Sequence, residues 1–523
     1  MTRPEASKVY HALLHWRDFR FKIFLEGIFI GLIAGITVVL FRYILELAEK
    51  MRNALYVHLH TGPWSLTLLW FLSLLFIAYL LGKIVAYEPM SGGSGIPQVK
   101  AVILRLMKMN WQRIIASKFV GGVLAIGAGL SLGREGPSIQ LGAAIGQGLS
   151  RLMGRTKMEE RYLLTSGASA GLAAAFSAPL AGVIFSLEEL HKNFSPAVLM
   201  SAMAASLTAA LVTQSFFGAN PIFSFTGIPV FPFRYYGYLV ILGIVTGLLG
   251  VLFNRVLIGT LNFYDRQRVL PKGMQAAIPL LLGGLAGFVL PEILGGGNDL
   301  VNVISSGRFT LDFMLILIAA KFIFTMISYG SGVPGGIFLP LLVVGALTGG
   351  ISGTVAVHYL GVDPFYYNNF IVLAMAAFFT AVVKAPITGS ILILEMTGSF
   401  THLLSLIAVS MTAYLTTDIV KSKPVYDELM ERSLAKSGSE PASMGPRNRM
   451  VTELVVCVGS KLDGQKIKNI SWPSHCLLVS IRRGEMEIIP KGDTKIIAGD
   501  YLYVLTNEGQ TEEVYELAGE CIL

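Results

Sequence analysis

Charge is scarce in this sequence. Only 14% of its 523 residues are Asp, Glu, Lys or Arg, against about 25% in ordinary soluble domains, which excludes a chain folded wholly in water. Cysteine is scarcer: three residues, an odd number, all after position 450, which excludes a disulfide-built secreted scaffold. Long runs of Lys and Arg are missing, so the net charge of +8 does not mark a nucleic-acid-binding protein. The apolar spans carry no nucleophile–base pair and no metal-ligand cluster, so neither an intramembrane enzyme nor a metal or cofactor is expected. What the chain has instead is apolar sequence, 53% of residues, and 56 glycines. Apolar runs rich in Gly are the composition of packed transmembrane helices.

The expected architecture is an all-α polytopic membrane protein with broken helices, followed by a small α+β domain. Residues 1–22, with Lys8, Arg17, Arg20 and Lys22, read as an amphipathic basic helix that stays cytoplasmic by the positive-inside rule. Apolar stretches then recur from 23 to 430. Several are shorter than the roughly 20 residues a bilayer needs, and many are interrupted by Gly or Pro, which is tolerated at membrane depth only where the break lines a cavity or is buried in protein. That pattern favours a transporter or channel. Residues 431–449, rich in Ser, Pro, Gly and charge, read as a linker. Residues 450–523 turn to short alternating strands, TELVVCVG, CLLVSIRR, MEIIP and YLYVLT, ahead of a helical EGQTEEVYELAGE. Cys457, Cys476 and Cys521 all fall there, and are expected as reduced thiols in a cytosolic domain.

An internal repeat is written in the letters. Ser177-Ala-Pro-Leu-Ala-Gly182 returns as Lys384-Ala-Pro-Ile-Thr-Gly389, with Glu188 on Glu395. Gly133-Arg-Glu-Gly-Pro137 returns as Gly336-Ile-Phe-Leu-Pro340, with Gly142 and Gly146 on Gly345 and Gly349. Two near-equal offsets imply two related halves, about 23–220 and 230–430. Interrupted segments at matching positions of two such halves point to a substrate site.

Four segments have the chemistry of helix starts: Gly93-Ser94-Gly95-Ile96-Pro97, Gly133–Pro137, Gly335–Pro340 and Lys423-Pro424-Val425-Tyr426. Proline suits a first turn, where its missing N–H costs nothing, and Gly lets another group approach the backbone. A helix start leaves N–H groups unpaired and carries about half a positive charge. Several converging starts would hold a dehydrated anion without the full charge that would trap it. Glu135 sits in one of them. Ionised, its carboxylate mimics the anion; protonated, it would withdraw and let the anion pass. A salt bridge to adjacent Arg134 is the structural alternative. Glu188 and Glu189 end the apolar run VIFSLEEL, where charge is costly. Glu188 repeats as Glu395, which argues for a shared structural role, whereas Glu189 faces Met396 in the repeat and is the functional candidate.

GSGIP, GREGP and GGIFLP, with GLAAAFSAPLAG, the Gly295–Gly297 loop and KAPITGSILILEMT, resemble the signature segments of the CLC family of chloride channels and chloride/proton antiporters over residues 20–430. The resemblance implies two inverted halves, a homodimer with one pore per subunit, and no cofactor. It implies chloride held by Ser94, by backbone N–H groups of Arg134, Gly136, Ile337 and Phe338, and by the Tyr426 hydroxyl. It implies Glu135 as gate and external proton acceptor, Glu189 as internal proton-transfer group, and Lys118 as electrostatic support. Family members that prefer nitrate carry Pro where Ser94 stands, so chloride is the expected anion. The expected function is chloride/proton antiport across the plasma or inner membrane, with both termini cytoplasmic. A passive voltage- or pH-gated chloride channel and a ligand-sensing receptor are the alternatives. The tail resembles the C-terminal ligand-sensing domain of potassium-conductance regulators, which implies a small regulator, with cyclic di-AMP as the example considered. His58 and His60 have no companion ligands, and Ser328–Gly332 lacks the order of a potassium filter.

Overall fold

The computed structural model describes residues 3–436 except 193–194, 220, 224, 226–227 and 268–269, and residues 449–507 and 517 except 474–475 and 485. The chain divides into two compact units, Met1–Ser437 and Gly438–Leu523.

The first unit is helical and written twice. Its first series is α1 (Arg3–Thr61), α2 (Trp64–Tyr87), α3 (Ile96–Ile103), α4 (Trp111–Gly127), α5 (Glu135–Leu152), α6 (Lys157–Phe176), α7 (Pro179–Phe185) and α8 (Pro196–Phe217). The second is α9 (Tyr236–Arg266), α10 (Ala277–Val289), α11 (Asn298–Ser305), α12 (Leu311–Gly330), α13 (Phe338–Tyr359), α14 (Tyr367–Val383), α15 (Pro386–Thr397) and α16 (Leu403–Ile419). A closing helix, α17 (Val425–Lys436), follows. The repeat extends to the backbone. Ser177 and Lys384, which end α6 and α14, both turn left-handed at φ 53° and 61°. Gly95 and Gly297, which cap α3 and α11, share φ 95° and 94°.

Eight helices among the described residues are long and apolar enough to cross a membrane. At 1.5 Å per residue, α3, α7 and α11 are too short to do so, as the broken runs implied. Exposed Phe29, Ile36, Phe76, Leu252 and Ile316 form apolar outer faces of the kind lipid covers, while nearly all of α5 and α14 and the first half of α13 are buried. Close backbone approach explains the repeated glycines: a Cβ on Gly142 would stand 2.0 Å from the Gly167 carbonyl, and one on Gly345 would stand 2.9 Å from Met375 Cα. The segment read as a separate N-terminal helix is the beginning of α1, which continues past residue 22 without a break. Likewise α17 runs to Lys436, into the stretch read as linker; residues 437–448 lie outside the described residues.

The second unit holds a four-stranded antiparallel sheet in the order β1-β4-β2-β3: β1 (Arg449–Val455), β2 (Leu477–Arg483), β3 (Met486–Ile488) and β4 (Tyr501–Asn507). All four expected strands are present. The helix expected over EGQTEEVYELAGE falls almost wholly outside the described residues. Leu454, Leu462, Ile481, Ile496, Leu502 and Val504 make the core. Buried Asp500 accepts two bonds of 2.8 Å from Arg483 and one of 3.0 Å from the Ile497 N–H. Cys476 is a free, half-buried thiol, but Cys457 is disulfide-bonded, so the expectation of reduced cysteines throughout fails.

Candidate functional site at converging helix starts

Three of the glycine segments are tied together by their backbones. Gly93 N–H donates to the Val333 carbonyl at 3.1 Å, and Gly335 N–H returns a bond to Gly93 at 3.0 Å. Gly133 and Gly336 exchange two bonds, at 2.6 and 2.8 Å. The starts of α3, α5 and α13 are thereby fixed to one another. Gly136 is required there: a Cβ would come within 2.4 Å of Ser94 Oγ. Tyr426, in the first turn of α17, is fully buried with its ring edge-on to Phe185, which packs in turn against Phe338.

The polar atoms at this convergence are unusual. Ser94 Oγ, the Tyr426 hydroxyl and both Glu135 carboxylate oxygens are buried without a hydrogen-bond partner, although buried polar groups are nearly always satisfied. The backbone N–H groups of Glu135 and Leu339 stand beside the Glu135 carboxylate without reaching full bonding geometry. Two hydroxyl donors and one carboxylate with unspent hydrogen-bonding capacity are therefore buried around these helix starts. That chemistry suits a small anion that exchanges with the carboxylate.

Arg134 does not pair with Glu135. Its guanidinium lies 3.4 Å from Glu46, because side chains of consecutive helical residues diverge by about 100°. The salt-bridge alternative for Glu135 is therefore not the one the fold adopts. Arg134 instead lines a cavity of about 620 Å³ with Arg42, Glu46, Glu49, Arg52 and Asp299, which reaches Leu132, Gly296 and Leu339. Leu339 N lies 3.0 Å from the Cβ position of Gly133, against which the Glu135 carboxylate is folded.

Lys118, fully buried, donates to the Ser91 and Gly93 carbonyls at 2.9 and 2.7 Å, so it ties down the loop that presents Ser94. The second half repeats this device. Lys321 donates to Ile293 and Gly295 at 2.8 Å each, and lies 203 residues beyond Lys118, a signal the same offset carried but the sequence reading did not use.

The neighbouring glutamates separate as their repeat partners imply. Glu188 accepts from the Ile387 and Thr388 N–H groups at 3.3 and 2.7 Å, capping α15, while Glu395 accepts from Leu180 and Ala181 at 3.1 and 2.7 Å, capping α7. This reciprocity is that of a two-fold relation between the halves. Glu189, in the π-turn Ser186–His191, is buried and points elsewhere, to Lys100 Nζ at 2.6 Å. Lys100 also bonds Asp427. Neither Lys100 nor Asp427 was singled out from the sequence; a lone Lys inside the apolar α3 was the available signal.

Comparison with known proteins finds relatives of the membrane part and a family match for the tail. The family described as voltage gated chloride channel matches residues 75–418, and the TrkA-C domain matches residues 451–519. The H(+)/Cl(-) exchange transporter ClcA of Vibrio cholerae serotype O1 is 31% identical over 452 residues, covering 82% of this chain and 93% of that protein. ClcA of Citrobacter koseri is 31% identical over 439 residues, covering 82% and 92%. A crystal structure of a slow cyanobacterial Cl−/H+ antiporter superposes with TM-score 0.75 at 30% identity, over 79% of this chain and 98% of that one. A CLC-type fluoride/proton antiporter shares the fold at TM-score 0.65 and 24% identity, over 76% of this chain and 96% of that one.

Proposed function

The chain belongs to the voltage gated chloride channel (CLC) family, and from that premise we propose that it exchanges chloride for protons across a membrane. The observation that carries the reading is that the Glu135 carboxylate and the hydroxyls of Ser94 and Tyr426, each at one of the glycine- or proline-marked helix starts, are all buried and unpartnered. Ionised, Glu135 occupies the position where the helix starts favour negative charge. A proton taken up from the cavity beside Arg134 neutralises it, the side chain leaves, and chloride takes its place. The bound anion accepts from Ser94 Oγ, the Tyr426 hydroxyl and N–H groups of the Arg134–Gly136 and Ile337–Phe338 turns. Lys118 keeps the Ser94 loop in register. Glu189 then receives that proton and releases it on the opposite side, so each anion passage is tied to a proton moving the other way. Exchanger relatives support this over a passive channel.

The same reading places the protein in the cell membrane as a homodimer with one pore per subunit and both termini in the cytoplasm. The TrkA-C domain then senses a small cytosolic regulator, for which a cyclic dinucleotide such as cyclic di-AMP is the candidate to try. The test is the reversal potential of purified protein in liposomes under opposed chloride and proton gradients. A potential that moves with pH at fixed chloride supports exchange; one pinned to the chloride equilibrium potential makes the protein a passive channel.

A further inference from the structure

We propose that Asp427 is the counter-charge that allows Glu189 to take up and release a proton, with Lys100 as the ammonium shared between the two carboxylates. This rests on Glu189 being the internal proton carrier. The observation is a line of four charges drawn from three elements. Lys100 Nζ, on α3 and almost fully buried, donates to Glu189 Oε1 at 2.6 Å and to Asp427 Oδ1. Asp427 Oδ2, at the start of α17, accepts from half-exposed Lys192 at 2.9 Å. The order from the interior outward is Glu189, Lys100, Asp427, Lys192. Among the described residues, Lys100, Asp427 and Lys192 are the charged groups that face Glu189; the Tyr426 hydroxyl is the neutral titratable group nearby, and Glu188 is engaged in capping α15.

A buried ion pair resists losing one partner, because the remaining charge is stranded. Were Glu189 the sole partner of Lys100, protonating it would strand a buried ammonium, and Glu189 would stay ionised. Asp427 removes that obstacle, since Lys100 remains paired when Glu189 becomes neutral. Lys192 decides which carboxylate accepts the proton: Asp427 touches two ammonium groups and Glu189 one, so Glu189 is the less firmly held as an anion. The balance is simple. A proton from water binds the Glu189 carboxylate, Lys100 keeps its own proton throughout, and the group goes from neutral to one positive charge and back. Nothing similar stands in the second half, where the positions of Lys100 and Glu189 are taken by Asn302 and Met396.

The test is proton flux against pH in liposomes, with chloride flux measured in parallel. Glu189→Gln should lose proton flux at every pH while chloride flux persists; retained proton flux would overturn the assignment of Glu189 itself. With that control met, Asp427→Asn should move the proton-flux profile about one pH unit or more toward acid, because Lys100 then holds Glu189 alone. Lys100→Met should move it toward alkali, and Asp427→Glu should restore the native profile. Lys192→Met, at a half-exposed position, serves if the buried variants fold poorly, and should move the profile toward alkali by less. Shifts of one sign in the Asp427 and Lys100 variants, or an unmoved profile in all of them, overturn the proposal.

Discussion

The two halves of the membrane unit are built alike and equipped differently. Each has a lysine that pins a glycine loop, Lys118 and Lys321. Each has a glutamate that caps a helix of the other half, Glu188 and Glu395. Each has helix starts that meet the other's at the Gly133–Gly336 bridge. The proposed chemistry sits on one side. Ser94, Glu135 and Glu189 face Gly296, Phe338 and Met396 in the repeat. Duplication thus supplies a symmetric frame of converging helix ends, and the groups proposed to carry protons are placed in one half of it. A carboxylate at both starts would set two negative charges against the one proposed anion site, where like charges close together cannot both ionise.

The comparison is tested most severely at Glu135. Glu135→Gln removes the exchangeable carboxylate but keeps its shape, so proton flux should fall by about a hundredfold or more, the scale of positioned acid–base groups, while chloride flux continues and loses its pH dependence. Proton pumping that survives would end the gate assignment. Next, Glu189→Ala should abolish proton movement with chloride binding largely intact, whereas Met396→Ala, its mirror, should leave both fluxes within about twofold, since deleting an apolar side chain removes packing but no titratable group.

At the proposed anion site, Tyr426→Phe deletes one hydroxyl donor. A hydrogen bond to a charged group is worth about 1.5–3 kcal/mol, so chloride affinity measured calorimetrically should drop roughly tenfold or more. Ser94→Pro replaces the other donor with an apolar ring and should shift the anion preference toward nitrate in a flux competition.

The frame itself predicts symmetry. Glu188→Ala and Glu395→Ala each leave two helix-start N–H groups, one exposed and one half-buried, without their acceptor, at about 0.5–1.5 kcal/mol per bond. Thermal unfolding of the purified variants should therefore show losses of similar size, with proton coupling retained in the fraction that folds. A large loss in one alone would break the two-fold reading.

The smallest effect on transport is expected from the tail. Cutting after Lys436 removes no residue of the proposed site and should preserve exchange, while any response to added cyclic dinucleotide disappears. Within the tail, burial by itself raises the Asp500 carboxyl, but Arg483 and the Ile497 N–H outweigh it and hold it below the ordinary carboxylate range. Its folded value is thus lower than its unfolded one. The stability it adds is complete above the unfolded value of about 3.9 and is lost as pH falls through the lower folded value. Limited proteolysis of the full chain should find the native tail resistant throughout the neutral range, and the Asp500→Asn tail cut more readily there.

Much of this was legible in the letters. The poverty of charge declared the membrane, and the offsets of 203 and 207 residues declared the two halves. Gly and Pro declared the helix starts, because their effect on backbone conformation acts within a residue or two. Glu135 and Glu189 could be picked out because an acidic side chain in an apolar run needs a reason. The partners of these residues were not legible. Arg134 is adjacent to Glu135 in sequence yet bonds Glu46, 88 residues away; Lys100 meets Asp427 across 327 residues. Local sequence sets where a helix begins and which way it winds, but which side chain lies opposite another depends on how whole helices pack. In a buried, low-dielectric interior those distant pairings decide which charges are compensated, and therefore which carboxylate is free to carry a proton.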